Sequence, residues 1–252
     1  MTGARSVTFG PAPAIAVVPF FRAGDFILAT GLFNAIKQRL PGAELTVVVH
    51  QRQLAMARHH PAIDRVLEFE RHPLRLVPFL LRLRGRRYDA WLDPKDHFSR
   101  NQTLLARFAR AGVKVGFNRP GGGPFDLPVL PSADPSKHFA EKMMAPLDLI
   151  GMPWDHPPRL SLGLPPESVA RVTALLVDRA PLEILANVSA GMAIRYWPEE
   201  KWAELLPRLA RLRPARFWLS SAPEDDALAE RIVATVGRGG TAIRQLPKGS
   251  LL

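Results

Sequence analysis

Short runs of contiguous apolar residues alternate with stretches whose apolar positions recur at helical spacing. Ala14–Phe20 reads as a strand and Asp25–Leu40 as a helix, with Ile27, Leu28, Leu32, Ala35 and Ile36 near helical spacing and Pro41-Gly42 ending it. Leu45–His50 (LTVVVH) is almost unbroken in its apolar character, as a strand buried on both faces of a parallel sheet is. A short helix over Gln51–His59, a strand at Arg65–Glu70 and a helix at Leu74–Arg84, weakened by Pro78, follow. Then come a strand at Tyr88–Asp93, a helix at Ser99–Arg110 and a strand at Val113–Phe117. The pattern lapses from Asn118 to Ser136, around Gly121-Gly122-Gly123, and is helical again over Lys137–Ile150. Repeated strand–helix units predict a parallel sheet with helices on both faces, a complete Rossmann-like domain over residues 1–150.

Gly151 to Pro166 (GMPWDHPPRLSLGLPP) has the proline-rich composition of an interdomain linker. The alternation then restarts over residues 167–252. Helices are predicted at Glu167–Arg179, Pro198–Leu212 and Glu224–Val236, and strands at Ile184–Val188, Arg216–Ser221 and Thr241–Gln245. Three strands make a thin sheet with both faces poorly covered and the last strand an open edge, so the second domain reads as incomplete.

With 252 residues and 47% hydrophobic content, the chain can bury one large core or two ordinary ones, and global disorder is excluded. The absence of cysteine excludes disulfides, thiolate metal sites and a cysteine nucleophile, and fits a reducing compartment. The net charge of +11, carried mostly by arginine, suits an anionic partner: nucleic acid, phosphate or an acidic membrane. An arginine surplus is also what genome base composition alone produces. Pro19 and Asp25 interrupt the first apolar run too early for a signal peptide, and no stretch approaches the roughly 18 apolar residues of a membrane span. The expectation is a soluble cytoplasmic protein.

Local motifs exclude more than they assign. Neither GxGxxG nor a Walker A sequence is present, and the histidines lack HExxH spacing, so no cofactor and no metal site are expected. No helix-turn-helix, zinc-finger or RNP signature accompanies the positive charge, which argues against a nucleic-acid-binding protein. Asp25 falls where the first helix should start, as a helix cap or as a group that does chemistry. The second domain has its own strand–loop–helix stretch, in which Ser189-Ala190-Gly191 and Arg195 could hold a phosphate or form an ordinary polar loop. Leu74 to Arg87 combines bulky apolar residues with Arg75, Arg82, Arg84, Arg86 and Arg87. It suits a sheet-packing helix with a solvated basic end, or a helix lying on an anionic membrane.

The stretch RAGDFILATGLFNAIKQRLPGAELTVVVHQRQLAMARHHPAIDRVLEF resembles the opening of glycosyltransferase family 9, which includes the ADP-heptose:lipopolysaccharide heptosyltransferases. The shared features are Gly24-Asp25, Thr30, the turn at Pro41 and Ala43, and the spacing to HPAIDRVLEF. YDAWLDP, RAGVKVGF, the helix after Lys137-His138 and SAGMAIRYWPEEKWAEL follow in the family's order, so the resemblance runs from about Ala14 to the chain end. It implies a GT-B-like fold of two Rossmann-like domains, the first on the acceptor side and the second, here incomplete, binding the nucleotide sugar. It implies inverting, metal-independent transfer of a sugar from an ADP-sugar donor to an anionic glycolipid acceptor. It also implies possible peripheral contact with the cytoplasmic face of the inner membrane. By resemblance Asp25 is the general base, Arg22, Gly24 and Thr30 belong to the acceptor-side loop, and Ser189, Ala190, Gly191 and Arg195 bind the donor. Gly31 stands where the family usually has Pro, and Ser189-Ala190-Gly191 where many members carry a His-Pro-Gly-like loop. The family's later Asp-(Ser/Thr)-Gly-x-x-His segment has no counterpart before Leu252, which implies a truncated chain with poor turnover or a non-catalytic fragment.

Overall fold

The computed structural model describes residues 7–19, 22–70, 72–178 and 180–247, which form two compact units dividing at residue 166. The first unit holds six parallel strands: β1 (Ala14–Val17), β2 (Glu44–Val49), β3 (Arg65–Glu68), β4 (Arg87–Leu92), β5 (Arg110–Gly116) and β6 (Leu127–Pro128). Their order is β3-β2-β1-β4-β5-β6, the doubly wound order in which strand succession reverses direction between β1 and β4. The expected end of the first strand at Phe20, and Phe21 after it, lie outside the described residues.

Helices cover both faces, which is why the central strands are apolar without alternation. Helix α1 (Ala23–Arg39) lays Phe26, Leu32, Phe33 and Ile36 on the face formed by Ile15, Val17, Leu45, Val47 and Leu92. A short helix α2 (Leu54–Arg58) follows β2. On the opposite face α3 (Pro73–Arg84) and α4 (Arg100–Phe108) bring Phe79, Leu83 and Leu105 against Ala16, Val18, Val48 and Trp91.

Two expectations in this unit are corrected. The single helix over Lys137–Ile150 is two, α5 (Phe139–Lys142) and α6 (Ala145–Leu149). Pro146 opens α6; it has no N–H to continue the ladder of α5 and suits a first turn. The expected irregular stretch from Asn118 contains β6, which pairs Leu127 with Val115.

The proline-rich segment is not a free spacer. Asn34 donates to the Arg159 carbonyl at 2.7 Å, Arg39 to the Pro153 carbonyl at 3.0 Å, and Ser161 donates its N–H to the Thr30 hydroxyl at 3.0 Å. His60, buried and held below its usual pKa chiefly by that burial, meets the Ser161 hydroxyl at 2.9 Å. Gly31 and Gly163 make this strap possible, because a Cβ on Gly31 would stand 2.6 Å from Pro158 Cβ, and one on Gly163 would stand 2.0 Å from the His59 carbonyl carbon.

The second unit has a separate parallel sheet in the order β7 (Glu183–Asn187), β8 (Arg216–Ser220), β9 (Ile243–Gln245). Its helices are α7 (Pro166–Leu175), α8 (Glu199–Leu212) and α9 (Asp226–Arg238). One face is well packed: Ile184, Ala186, Phe217 and Leu219 close on Leu206, Ile232 and Val236. The other leaves Leu185 exposed beside an ion pair of Glu183 with Arg216, which holds the Glu183 carboxyl down to about 2. The expectation of two poorly covered faces is thus met on one side only, because α8 and α9 both contribute apolar residues to the same face.

Candidate active site

Open α/β sheets bind ligands beyond the carboxyl ends of their strands, where strand succession reverses. In the first unit that place is the pair of loops leaving β1 and β4, which are hydrogen-bonded neighbours with Val17 opposite Leu92. The β1 loop leads into α1, whose N-cap is Arg22 in an extended conformation with no side-chain cap. Asp25 is therefore the third residue of the helix rather than its cap, and its half-buried carboxylate lies in the first turn, where backbone N–H groups point outward. Arg22 and Gly24 are exposed beside it. A Cβ on Gly24 would meet nothing within 4 Å, so the fold itself does not require glycine there.

The β4 loop and the first turn of α4 add three residues, Asp93, Lys95 and Gln102, that sequence reasoning did not single out. Asp93, directly after β4, is buried, and its Oδ1 accepts from the Lys95 N–H at 3.0 Å and from Gln102 Nε2 at 3.1 Å. Gln102, on α4 and also buried, donates from the same nitrogen to the Val18 carbonyl at 3.2 Å. The amide thereby ties the carboxyl ends of β1 and β4 together. Val18 needs a donor, which fixes the amide's orientation and leaves Gln102 Oε1 without a hydrogen-bond partner among the described residues.

Burial pushes the Asp93 carboxyl up to about 7, against the Lys95 N–H and ammonium, which pull it down. Burial also lowers Lys95 from the usual lysine range, opposed by the negative charges of Asp93 and Asp25. The charges of Asp93 and Asp25, with those of Arg22 and Asp96, therefore all act on the Lys95 ammonium. The signal available in the sequence was an acid closing an apolar strand at its carboxyl end, followed by Pro-Lys.

Thr30 is not brought to this group. It is buried inside α1, where its hydroxyl donates to the Ile27 carbonyl at 2.6 Å and accepts from Ser161. A hollow of about 300 Å3 lies farther along the same sheet edge, lined by Phe98, Arg100, Arg107, Asn118 and Arg119 among others. The Arg119 guanidinium stacks 3.3 Å from the centre of the Phe98 ring. Three arginines around one hollow favour an anionic group. Among the described residues no three His, Asp or Glu side chains cluster closely enough to hold a metal ion.

In the second unit the loop after β7 carries the other expected residues. The Ser189 hydroxyl accepts from the Ala222 N–H at 2.6 Å, joining the loops that leave β7 and β8. Ala190 is half-buried, and Gly191 is exposed with open space where a Cβ would stand. Arg195 ends a 3-10 turn (Ala193–Arg195) and is exposed. Beyond it Trp197 packs edge-on against Trp202 at 4.9 Å, and Tyr196 donates to Asp225 at 2.8 Å. Ser189 is thus occupied in holding the loops, while Arg195 remains open to solvent.

No protein-family model matches the chain, and no curated protein matches it by sequence. Solved structures do. An E. coli heptosyltransferase WaaC with ADP-2-deoxy-2-fluoro heptose is 20% identical, with a TM-score of 0.70 over 94% of this chain and 77% of that one. A glycosyl transferase family 9 protein from Veillonella parvula is 16% identical, with a TM-score of 0.79 over 98% and 73%. E. coli ADP-heptose lps heptosyltransferase II is 18% identical, with a TM-score of 0.70 over 92% and 72%. The likeness shows the fold: α/β, with the two-unit GT-B architecture of these glycosyltransferases.

Proposed function

We propose that this chain is an inverting glycosyltransferase that moves a sugar, heptose in our reading, from an ADP-activated donor to an anionic glycan acceptor of the lipopolysaccharide-core kind, in the cytoplasm. The observation that carries this reading is the half-buried Asp25 side chain in the first turn of α1, where strand succession reverses, whose charge acts together with that of Asp93 on Lys95. The fold likeness to solved heptosyltransferases, one of them holding an ADP-heptose analogue, supports the choice of donor. The arginine-lined hollow supports an anionic acceptor.

In this reading an acceptor hydroxyl attacks the anomeric carbon of the donor sugar. Its proton passes to Asp25 as the new C–O bond forms, and the bond to the diphosphate breaks with its electron pair leaving on ADP. Arg195 meets the growing negative charge on the diphosphate, with Gly191 and Ala190 giving the ligand close access to backbone.

The test is transfer from a panel of ADP-sugars to lipopolysaccharide-core acceptors, with and without a chelator, reading the glycosylated product and its anomeric configuration. Inverted product from ADP-heptose, undiminished by the chelator, is expected. ADP binding with no transfer from any ADP-sugar would replace the enzyme by a nucleotide-binding module. Arg195→Ala should weaken ADP binding and turnover together; unchanged ADP affinity would return Arg195 to the ordinary surface.

A further inference from the structure

Helix α3 presents to solvent a face that nothing in the reaction uses. Its inward side is accounted for: Phe79 and Leu83 are buried in the core, and Leu76 and Leu80 pack partly against it. Its outward side is also apolar, with Leu74 80% exposed, Val77 59% and Leu81 66%. At about 100° per residue these three and Pro78 fall into one stripe along the helix. Arg84 flanks the stripe on one side, and Arg75 and Arg82 flank it on the other. An amphipathic helix that has already buried its inner face has no structural need for three exposed aliphatic residues on the outer one.

We propose that this face of α3 is a docking surface for an anionic lipid bilayer, with Leu74, Val77 and Leu81 entering the interface and the flanking arginines meeting the headgroups. Apolar residues along the middle with cations on both margins are what a helix lying in the plane of a membrane requires. Long arginine side chains can keep their charge at headgroup level while their stems lie on the apolar surface. The occupant is chosen by charge. Glu68 and Glu70 lie beside Arg75 and Arg82 on one margin, while Arg84 on the other margin and Arg87 just beyond the helix are exposed, so four cations stand against two acids. Glu70 pairs with Arg75 at 2.6 Å, whereas Arg82 makes a contact with the Pro78 carbonyl at 3.4 Å. The net charge of +11 favours the same partner at longer range. Among the described residues no helix is long and apolar enough to cross a membrane, so the contact is one of surface attachment.

The experiment is flotation of the 252-residue chain with vesicles of phosphatidylcholine alone and of phosphatidylcholine with phosphatidylglycerol. Binding to the anionic vesicles only, weakened by added salt, is expected. Leu74→Ser/Val77→Ser/Leu81→Ser should reduce that binding by on the order of a hundredfold. Arg82→Gln/Arg84→Gln should reduce it by roughly tenfold or more. If the triple variant does not fold, Leu74→Glu alone, at the most exposed position, should still reduce binding about tenfold or more. Failure of the wild type to bind anionic vesicles overturns the proposal, as does equal binding to both vesicle types or binding by the variants that matches wild type. A wild type that self-associates through this face, with self-association lost in the variants and no vesicle binding, would assign it to a second copy of the chain instead. None of these readouts depends on sugar transfer, so the surface and the enzymatic reading stand or fall separately.

Discussion

Asp25 and Asp93 follow neighbouring strands, yet burial gives them different work. Asp25 is half-buried in the first helical turn; Asp93 is buried and bonded to Gln102 and the Lys95 N–H. Asp25→Asn removes the proton acceptor and keeps the size. Turnover should fall by roughly 10²- to 10⁴-fold, while stability should change by less than ~1 kcal/mol, the usual worth of a charge at a helix end. Near-normal turnover at an unchanged melting temperature would move the base elsewhere. Asp93 makes a separate prediction through pH. Its folded pKa, raised to about 7, stands above the ordinary carboxylate value of 3.8. Between these values the unfolded chain gives up the proton first, so stability is greatest below the unfolded pKa and is lost as pH rises to about 7. Asp93→Asn keeps an oxygen for Lys95 and Gln102 but cannot ionise. Relative to this variant, wild type should lose up to a few kcal/mol between pH ~4 and ~7, then run parallel to it. Parallel melting curves across the whole range would mean that Asp93 titrates normally.

At the scale of elements, most helices and strands stand within a few residues of where apolar spacing puts them, because a strand buried on both faces must be apolar throughout. The departures have local chemical causes. Helix α1 begins at Ala23, so Asp25 could not act as its cap. Met143 and Met144 separate two helices that spacing alone merges, since Pro146 cannot donate to the preceding turn. The strap after Ile150 depends on close backbone approach at Gly163. Gly163→Ala places a Cβ 2.0 Å from the His59 carbonyl carbon, so the strap must shift. A loss of about 1–3 kcal/mol is expected, as for other overpacked sites, together with faster proteolysis near residues 153–163. An unchanged melting temperature and cleavage pattern would show that the strap contributes nothing.

At the scale of the molecule, the two units differ in how completely their sheets are covered. The six-stranded sheet is packed on both faces, whereas the three-stranded sheet leaves one face with Leu185 in solvent. Local opening follows buried apolar contact. Amide hydrogens of β7, β8 and β9 should therefore exchange under conditions in which those of β1, β2 and β4 stay protected. Equal protection in both sheets, lost together on denaturation, would make the chain a single cooperative body.

The sequence by itself determined the alternation of strands and helices, the proline-rich break over Gly151 to Pro166 and the resemblance that drew attention to Asp25 and Arg195. These are written locally, in spacing, in proline and in short ordered motifs. Only the tertiary structure decided that β1 lies beside β4, which makes Asp25, Asp93, Lys95 and Gln102 one group. It also decided that Thr30 serves the strap, and that α3 keeps an apolar face in solvent. Strand order and the titration of a buried carboxyl depend on which distant segments meet, and no local pattern carries that information.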